Sequence, residues 1–250
     1  MKTETSLSET LINQNTDAQL SRLLLCVQDI IVSTSLTLSS HDTVVSDQLV
    51  SQINQTWLEK MIRSKAVRLM MTRCASNVLE VDQEHQGDLL VAFDPLTLGA
   101  DSVMATSSFT VWSTGDHDHD SDISSVLANT DSLLCAGLVV FGCQTRVFMA
   151  GQAGCTEYTL DRRVGQLKTV NNSGVMDTGH GRILSVPRHI SSELRDIVSR
   201  VRDKSELELR RTGLAGVDGV SVIRNGGVWV SDQDLGHLHQ AIPLAFIGKK

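Results

Sequence analysis

The stretch DLLVAFDPLTLGAD, residues 88–101, decides the fold of this chain. Its first half is a short apolar run, which is typical of a strand buried on both faces. Pro95 follows Asp94, and a proline disfavours helical backbone in the residue before it. The sequence therefore predicts a buried strand that ends near Asp94 and leads into a tight loop.

Upstream of this strand, apolar residues recur at the spacing of two amphipathic helices. The first stripe lies within residues 17–34, where Asp17 is a suitable N-cap. The second stripe lies within residues 49–62 and includes Trp57, which is predicted to be a core residue. The Ser- and Thr-rich stretch STSLTLSSHDT is predicted to separate the two helices.

Downstream of the loop, the pattern changes from helical to strand-like. Residues 103–113 are rich in Val, Thr, Phe and Trp, which favours a strand. A helical period returns near Ser192, and VSVIRNGGVWV (220–230) is predicted to be another strand. This order indicates the α/β class, as an α+β layered sandwich without a regular βαβ repeat. Four further strand-like runs are LLCAGLVVFG (133–142), RVFMAG (146–151), CTEYTL (155–160) and QLKTV (166–170).

FDPLTLGAD, residues 93–101, resembles the DPLDGS loop of the fructose-1,6-bisphosphatase and inositol monophosphatase superfamily. Five more segments resemble superfamily segments in the same order and with similar spacing. The resemblance covers residues 17–250 and implies a fructose-1,6-bisphosphatase-like fold with a truncated C-terminal half, without the family's closing strands. The five segments are LLCAGLVVFGCQT (133–145), YTLDRRVGQL (158–167), GRILSVP (181–187), RRTGLAGVD with NGGVWV (210–218 and 225–230), and LHQAIPLAF (238–246).

The resemblance also implies an organisation of the whole chain. It divides the chain into a flexible N-terminal arm (1–16), a phosphatase-like N-terminal half (17–180) and a shortened C-terminal half (181–250). Because family members are dimers or tetramers, the expected state is a homodimer or a higher homo-oligomer.

Family members hydrolyse sugar phosphates with a cluster of Mg²⁺ ions, which require carboxylate ligands. Asp94 matches the first Asp of the family loop, but Thr97 stands at its second Asp. Gln240 aligns with a metal-binding Glu near the C-terminal end of the family sequence. The family's upstream Glu pair aligns with residues 71–74, which contain no carboxylate. The sequence therefore predicts no metal, no cofactor and no competent Mg²⁺-dependent phosphatase.

Exchange of carboxylates for neutral side chains makes the matching pocket more apolar, which favours a small apolar metabolite as the ligand. Thr97, Gln240 and Asp94 are the candidate catalytic residues, since they can donate to or accept from a polar group of that ligand. The candidate substrate-binding residues are Leu98, Met71, Arg188, Arg210, Arg211 and Ile242.

Three functions remain open from the sequence. The first is a repurposed metal-independent enzyme in a specialised biosynthetic pathway. It would be a cyclase or isomerase, and pericyclic reactions are among those it could catalyse. The second is a noncatalytic pseudophosphatase that acts as a binding or regulatory subunit. The third is residual sugar-phosphate phosphatase activity.

Composition excludes several other classes of protein. The formal net charge is −7 and there is no basic stripe, so neither nucleic acid nor a membrane surface is an expected partner. The polar N-terminus predicts no secretory signal, and the location is predicted to be cytoplasmic. No apolar stretch long enough to span a bilayer is visible in the sequence.

Two other groups of residues have metal-binding or redox chemistry. The segment GDHDHDSD (115–122) contains carboxylates and imidazoles, but it matches a variable exposed loop of the family and is predicted to be a solvated loop. The five cysteines include no CxxC pair, and they are predicted to be reduced and mostly buried.

Overall fold

Three helices open the chain, and the first of them lies where a flexible arm was predicted. Helix α1 (Leu7–Asn13) begins at a capping box between Ser6 and Glu9, whose carboxylate accepts from Ser6 N at 2.7 Å. Leu7 and Leu11 are buried, so this segment is a packed helix. The computed structural model describes residues 4–40, 45–75, 77–99, 104–115, 123–152, 154–170, 183–186, 191–204, 207–210, 214–230 and 243.

The next two helices confirm the two predicted amphipathic stripes. They are α2 (Ala18–Ser39), which Asp17 caps by accepting two backbone N–H bonds, and α3 (Asp47–Arg63). Helix α2 continues through most of the Ser/Thr-rich stretch that was predicted to lie outside it. The reason is tertiary packing, because Ser35 is buried and its hydroxyl lies 2.8 Å from that of Thr145.

Helix α2 also corrects the expectation about membrane spans. Because it runs through Ser39, it is long and apolar enough to cross a bilayer by length and composition. Half of that stretch is buried inside the structure, where it packs on the main core. This burial is typical of a core helix.

The central feature is an eight-stranded sheet with the order β2-β1-β3-β4-β5-β6-β7-β8. Strands β1 and β3 are parallel, and the other neighbours in this sheet are antiparallel. These strands are β1 (Val67–Thr72), β2 (Leu79–Glu80), β3 (Leu89–Leu98), β4 (Ala105–Ser113), β5 (Leu133–Phe141), β6 (Arg146–Gly151), β7 (Gly154–Asp161) and β8 (Gln166–Thr169).

A second, three-stranded parallel sheet has the order β10-β9-β11. Its strands are short, and each pair of neighbours is in register over three residues. The remaining elements are α4 (Ile123–Ala128), β9 (Ile183–Ser185), α5 (Ser192–Lys204), β10 (Glu208–Arg210), α6 (Ala215–Asn225) and β11 (Gly227–Trp229), with short 3₁₀ turns at Gln83–His85 and Thr130–Ser132. Residues 220–225 therefore belong to a helix, and the predicted strand 220–230 reduces to β11.

The elements stack in layers around the large sheet. One face packs against α1, α2 and α3 in the largest hydrophobic cluster. The other face is covered by α4 and by α6, which also contacts β9 and β11 and so lies between the two sheets. Val198 of α5 packs with Leu184 and Val186 beside the small sheet. The arrangement confirms the predicted layered sandwich.

The cysteines are less uniformly buried than predicted, which gives the first testable expectation. Cys74 and Cys143 are exposed. Burial raises the pKa of Cys26 and of Cys155 to about 11 and that of Cys135 to about 12, so these thiols hold little thiolate near neutral pH. We expect two fast thiols and three slow ones in a titration of the native protein with a thiol-reactive disulfide at pH 7.5.

Two controls define that titration. The denatured protein should react at all five cysteines, and the Cys74→Ser, Cys143→Ser double variant should lose the whole fast phase. A fast phase that survives in the double variant would contradict the burial of the other three thiols.

Candidate functional site

Asp94 lies in the middle of β3, on the face of the large sheet opposite the helices α1 to α3. Side chains alternate along a strand, and Val91 and Phe93 belong to the cluster beneath those helices. Asp94 therefore faces the layer of α4 and α6. Its exposed fraction is only 2%, so its carboxylate requires close polar partners.

A β-bulge brings Thr97 to the same face as Asp94. Asp94 pairs with Ser108 and Thr97 with Thr106, so two residues of β3 oppose the single Ser107 of β4. The Ser107 hydroxyl donates to the carbonyl of Pro95, which has no N–H to offer the ladder. Without the extra residue, positions 94 and 97 would lie on opposite faces.

Among the described residues, the buried carboxylate contacts Thr97 and Arg73. Thr97 Oγ1 donates to Asp94 Oδ2 at 2.5 Å, and Arg73 Nη1 donates to Thr97 Oγ1 at 3.0 Å. Arg73 Nη1 also lies 3.7 Å from Asp94 Oδ2, an ion pair with an arginine side chain that is 46% exposed. Asp94, Thr97 and Arg73 form one polar group, called here the Arg73 cluster.

Arg73 was missed by the sequence analysis. It follows directly after β1, whose last residue, Thr72, pairs with Phe93, the residue before Asp94. The sequence showed only that residues 71–74 lack a carboxylate. The available signal was the positive charge at position 73, directly after a strand that pairs with the strand of Asp94.

Helix α6 begins at the same corner of the molecule. A Cβ atom on Gly216 would lie 2.8 Å from Thr106 Cγ2, so glycine permits the close approach of α6 to β4. At its other end, Arg224 donates to the buried Glu157, which also accepts from Arg146 at 3.1 Å. The approach of Gly216 to Thr106 and the contact of Arg224 with Glu157 fix the two ends of α6 on the sheet.

The donor set of the Arg73 cluster does not fit a magnesium site. Mg²⁺ requires oxygen ligands, chiefly carboxylates, in near-ideal octahedral geometry. The cluster contains one carboxylate, and the same oxygen of Asp94 already accepts from Thr97 and pairs with Arg73. Among the described residues, no group of three or more His, Cys, Asp or Glu is placed to hold a metal ion.

The other predicted site residues that the structure describes lie in three different places. Met71 packs in the cluster with α4, whereas Leu98 packs in the main cluster on the opposite face of the sheet. Arg210 is exposed on β10, where its Nη1 lies 3.2 Å from the Ser221 hydroxyl. The remaining predicted residues lie outside the described part of the chain: Gln240, Arg188, Arg211 and Ile242, together with residues 116–122 of the Asp/His-rich loop.

Comparison with known proteins shows what this chain is similar to. No protein-family model matches the chain, and no curated protein matches it. Crystal structures of Leishmania major fructose-1,6-bisphosphatase match with a TM-score of 0.82 over 98% of this chain. The apo form is 18% identical and covered over 85% of its length, the holo form 17% and 86%, and the T-state 18% and 86%. At this identity the likeness shows the fold alone, and it confirms a fructose-1,6-bisphosphatase-like fold.

Proposed function

We propose that this chain with a fructose-1,6-bisphosphatase-like fold is a pseudophosphatase, a noncatalytic small-molecule-binding or regulatory protein that works without metal. The observation that carries the proposal is the pairing of the buried Asp94 carboxylate with Arg73 and Thr97. In a metal-dependent phosphatase, a carboxylate at this place would be left open for a cation. Here it stabilises the fold instead.

The charge balance of the Arg73 cluster supports this proposal. A divalent cation on Asp94 Oδ2 would displace the Thr97 hydrogen bond and would lie beside the Arg73 guanidinium, which is 3.7 Å from that oxygen. Like charges at such separations repel strongly in a partly buried site. The arginine therefore acts as a built-in counter-ion in place of a metal.

A second candidate function is a metal-independent cyclase or isomerase that acts on an apolar metabolite in a specialised biosynthetic pathway. It is favoured by the partial exposure of Arg73, whose guanidinium has five N–H donors of which only some are used in the cluster. Such donors can polarise the carbonyl group of a folded substrate and stabilise charge that develops on its oxygen. Conformational restriction would supply the rest of the rate enhancement.

Thermal unfolding of the purified protein tests the proposed function. We expect no rise in midpoint with Mg²⁺ and fructose 1,6-bisphosphate, and a rise with an apolar member of a metabolite panel, since a ligand of the folded state stabilises by mass action. A midpoint that rises with Mg²⁺ and the sugar phosphate together would overturn the proposal.

The fate of the bound metabolite then separates the two candidates. If chromatography with mass detection recovers it unchanged, the protein is a binding module. If it is recovered as an isomer of the same mass, the protein is an enzyme. In that case Arg73→Met should abolish conversion, whereas Arg63→Met, on the exposed face of α3, should leave conversion unchanged.

The proposal includes a homodimer or higher homo-oligomer and a cytoplasmic location. Neither nucleic acid nor a membrane is a proposed partner, in keeping with the net charge of −7. Sedimentation velocity over a range of concentrations tests the self-association, and a monomer at every concentration would contradict it.

A further inference from the structure

The two described sheets have four edge strands, β2, β8, β10 and β11, and three of them are protected. Strand β8 is covered by the N-terminal part of the chain, where Ser6 forms an antiparallel bridge with Lys168. Strand β2 is only two residues long. Strand β10 carries the exposed charged residues Glu208 and Arg210. Cover, shortness and charge are common means by which proteins prevent unwanted pairing of edge strands.

Strand β11 has none of these protections among the described residues. It is followed directly by Val230, and residues 227–230 contain no charged side chain and no proline. The side chain of Val228 is 43% exposed. Trp229 packs on the cluster between the two sheets and Val230 on the cluster beside α5, so the strand is held from both faces. What it leaves open is its outer edge.

The backbone of Trp229 is the polar group at this edge. In a parallel ladder, each residue directs both its N–H and its C=O to one side, and successive residues alternate between the sides. Val230 N donates to the carbonyl of Ser185 on β9 at 2.9 Å, so Trp229 directs its N–H and C=O away from β9. No described residue pairs with β11 on that side. An extended strand is the ligand that satisfies both groups.

We propose that this edge pairs with the same edge of a second copy of the chain, the two β11 strands running antiparallel about a two-fold axis at Trp229. In that register the two Trp229 residues exchange both hydrogen bonds, and Val228 of each copy lies opposite Val230 of the other. Cross-strand pairs of β-branched residues stabilise a sheet. The sequence Val-Trp-Val reads the same in both directions, and this self-complementarity favours a second copy over an unrelated peptide.

This inference names the interface of the self-association that the proposed function includes, and it rests on that self-association. The pairing joins the two three-stranded sheets into one sheet of six strands. It also covers the exposed surface of Val228. The Arg73 cluster takes no part in the contact, because Asp94 and Thr97 belong to the large sheet.

A charge placed on the edge tests the interface. Val228→Lys puts an ammonium group opposite an apolar side chain of the second copy. We expect it to raise the dimer dissociation constant, measured by sedimentation equilibrium, at least about 10-fold. The matched control is Val164→Lys in the β7–β8 turn, where the valine is 55% exposed and the added charge is the same. The control should leave the dissociation constant unchanged.

A second substitution tests the register. Val228→Lys combined with Val230→Glu places each lysine opposite a glutamate of the other copy, so this double variant should regain the dimer that Val228→Lys loses. The swapped pair, Val228→Glu with Val230→Lys, should behave in the same way. A register in which Val228 faces its own counterpart would instead bring like charges together in both double variants. Circular dichroism confirms that each variant is folded before its association is compared.

The possible failures are distinguishable. If the unsubstituted chain is monomeric at every concentration, the self-association itself is wrong, and this interface is wrong with it. If the chain is a dimer that Val228→Lys leaves intact, or that Val164→Lys dissociates, the self-association stands but its interface lies elsewhere. If folded double variants do not recover the dimer that Val228→Lys loses, the two-fold register at Trp229 is refuted.

Discussion

Replacement of Arg73 by Glu and of Thr97 by Asp is expected to convert the Arg73 cluster into a divalent-cation site. Both side chains already lie beside Asp94 Oδ2, at 3.7 Å and 2.5 Å, so the two substitutions bring three carboxylates together without moving the backbone. Affinity for hard cations rises with the number of charged ligands. We expect Mn²⁺ binding, followed by electron paramagnetic resonance, to strengthen at least about 10-fold over the unsubstituted protein.

The control for this experiment must change the net charge equally. Arg22→Glu with Gln52→Glu does so at exposed positions of α2 and α3, which pack on the face of the sheet opposite the Arg73 cluster. Mn²⁺ affinity should rise little in that variant. If the two double variants bind Mn²⁺ equally, then overall charge and not the local pairing of Asp94 governs cation binding, and the explanation given for the loss of metal is wrong.

The sequence predicted the position of Asp94 but not its surroundings. The apolar run before Asp94 predicted a buried strand correctly, but the predicted end at Asp94 is wrong, because β3 continues through a bulge to Leu98. The bulge that turns Thr97 to the same face depends on the pairing with Ser107, which is contributed by another strand. Arg73 likewise reaches Asp94 only through the pairing of β1 with β3. Partners across a sheet are not visible in either strand alone.

Two helices were not predicted from the sequence, α1 and the C-terminal half of α6, and the causes differ. Ser6-Leu-Ser-Glu9 followed by apolar residues is the signature of a capping box, so α1 was predictable from its own sequence. The segment around Val220 and Ile223 is rich in β-branched residues, which favour a strand, but it is helical because both side chains pack against the sheet in one cluster. Tertiary packing overrides propensity there.

Replacement of Trp57 by Ala is expected to lower the free energy of unfolding by about 3–5 kcal/mol, a large share of the stability of a typical domain. Trp57 is fully buried in the middle of α3, and its ring stacks on that of Phe93 with centroids 5.7 Å apart and an angle of 13° between the planes. The pair joins α3 to β3 one residue before Asp94. Urea denaturation followed by circular dichroism measures the loss.

Trp57→Phe separates the stacking from the size of the side chain. A phenyl ring keeps an aromatic partner for Phe93, and it also removes the indole Nε1–H, which is buried and has no hydrogen-bond partner among the described residues. Since loss of an unsatisfied donor offsets part of the lost volume, we expect a cost of only about 1–2 kcal/mol. Equal costs for Ala and Phe would mean that the indole N–H and not the ring contact stabilises this core. A cost below about 1 kcal/mol for Ala would contradict the burial of Trp57 itself, because no packed core tolerates loss of so large a side chain so cheaply.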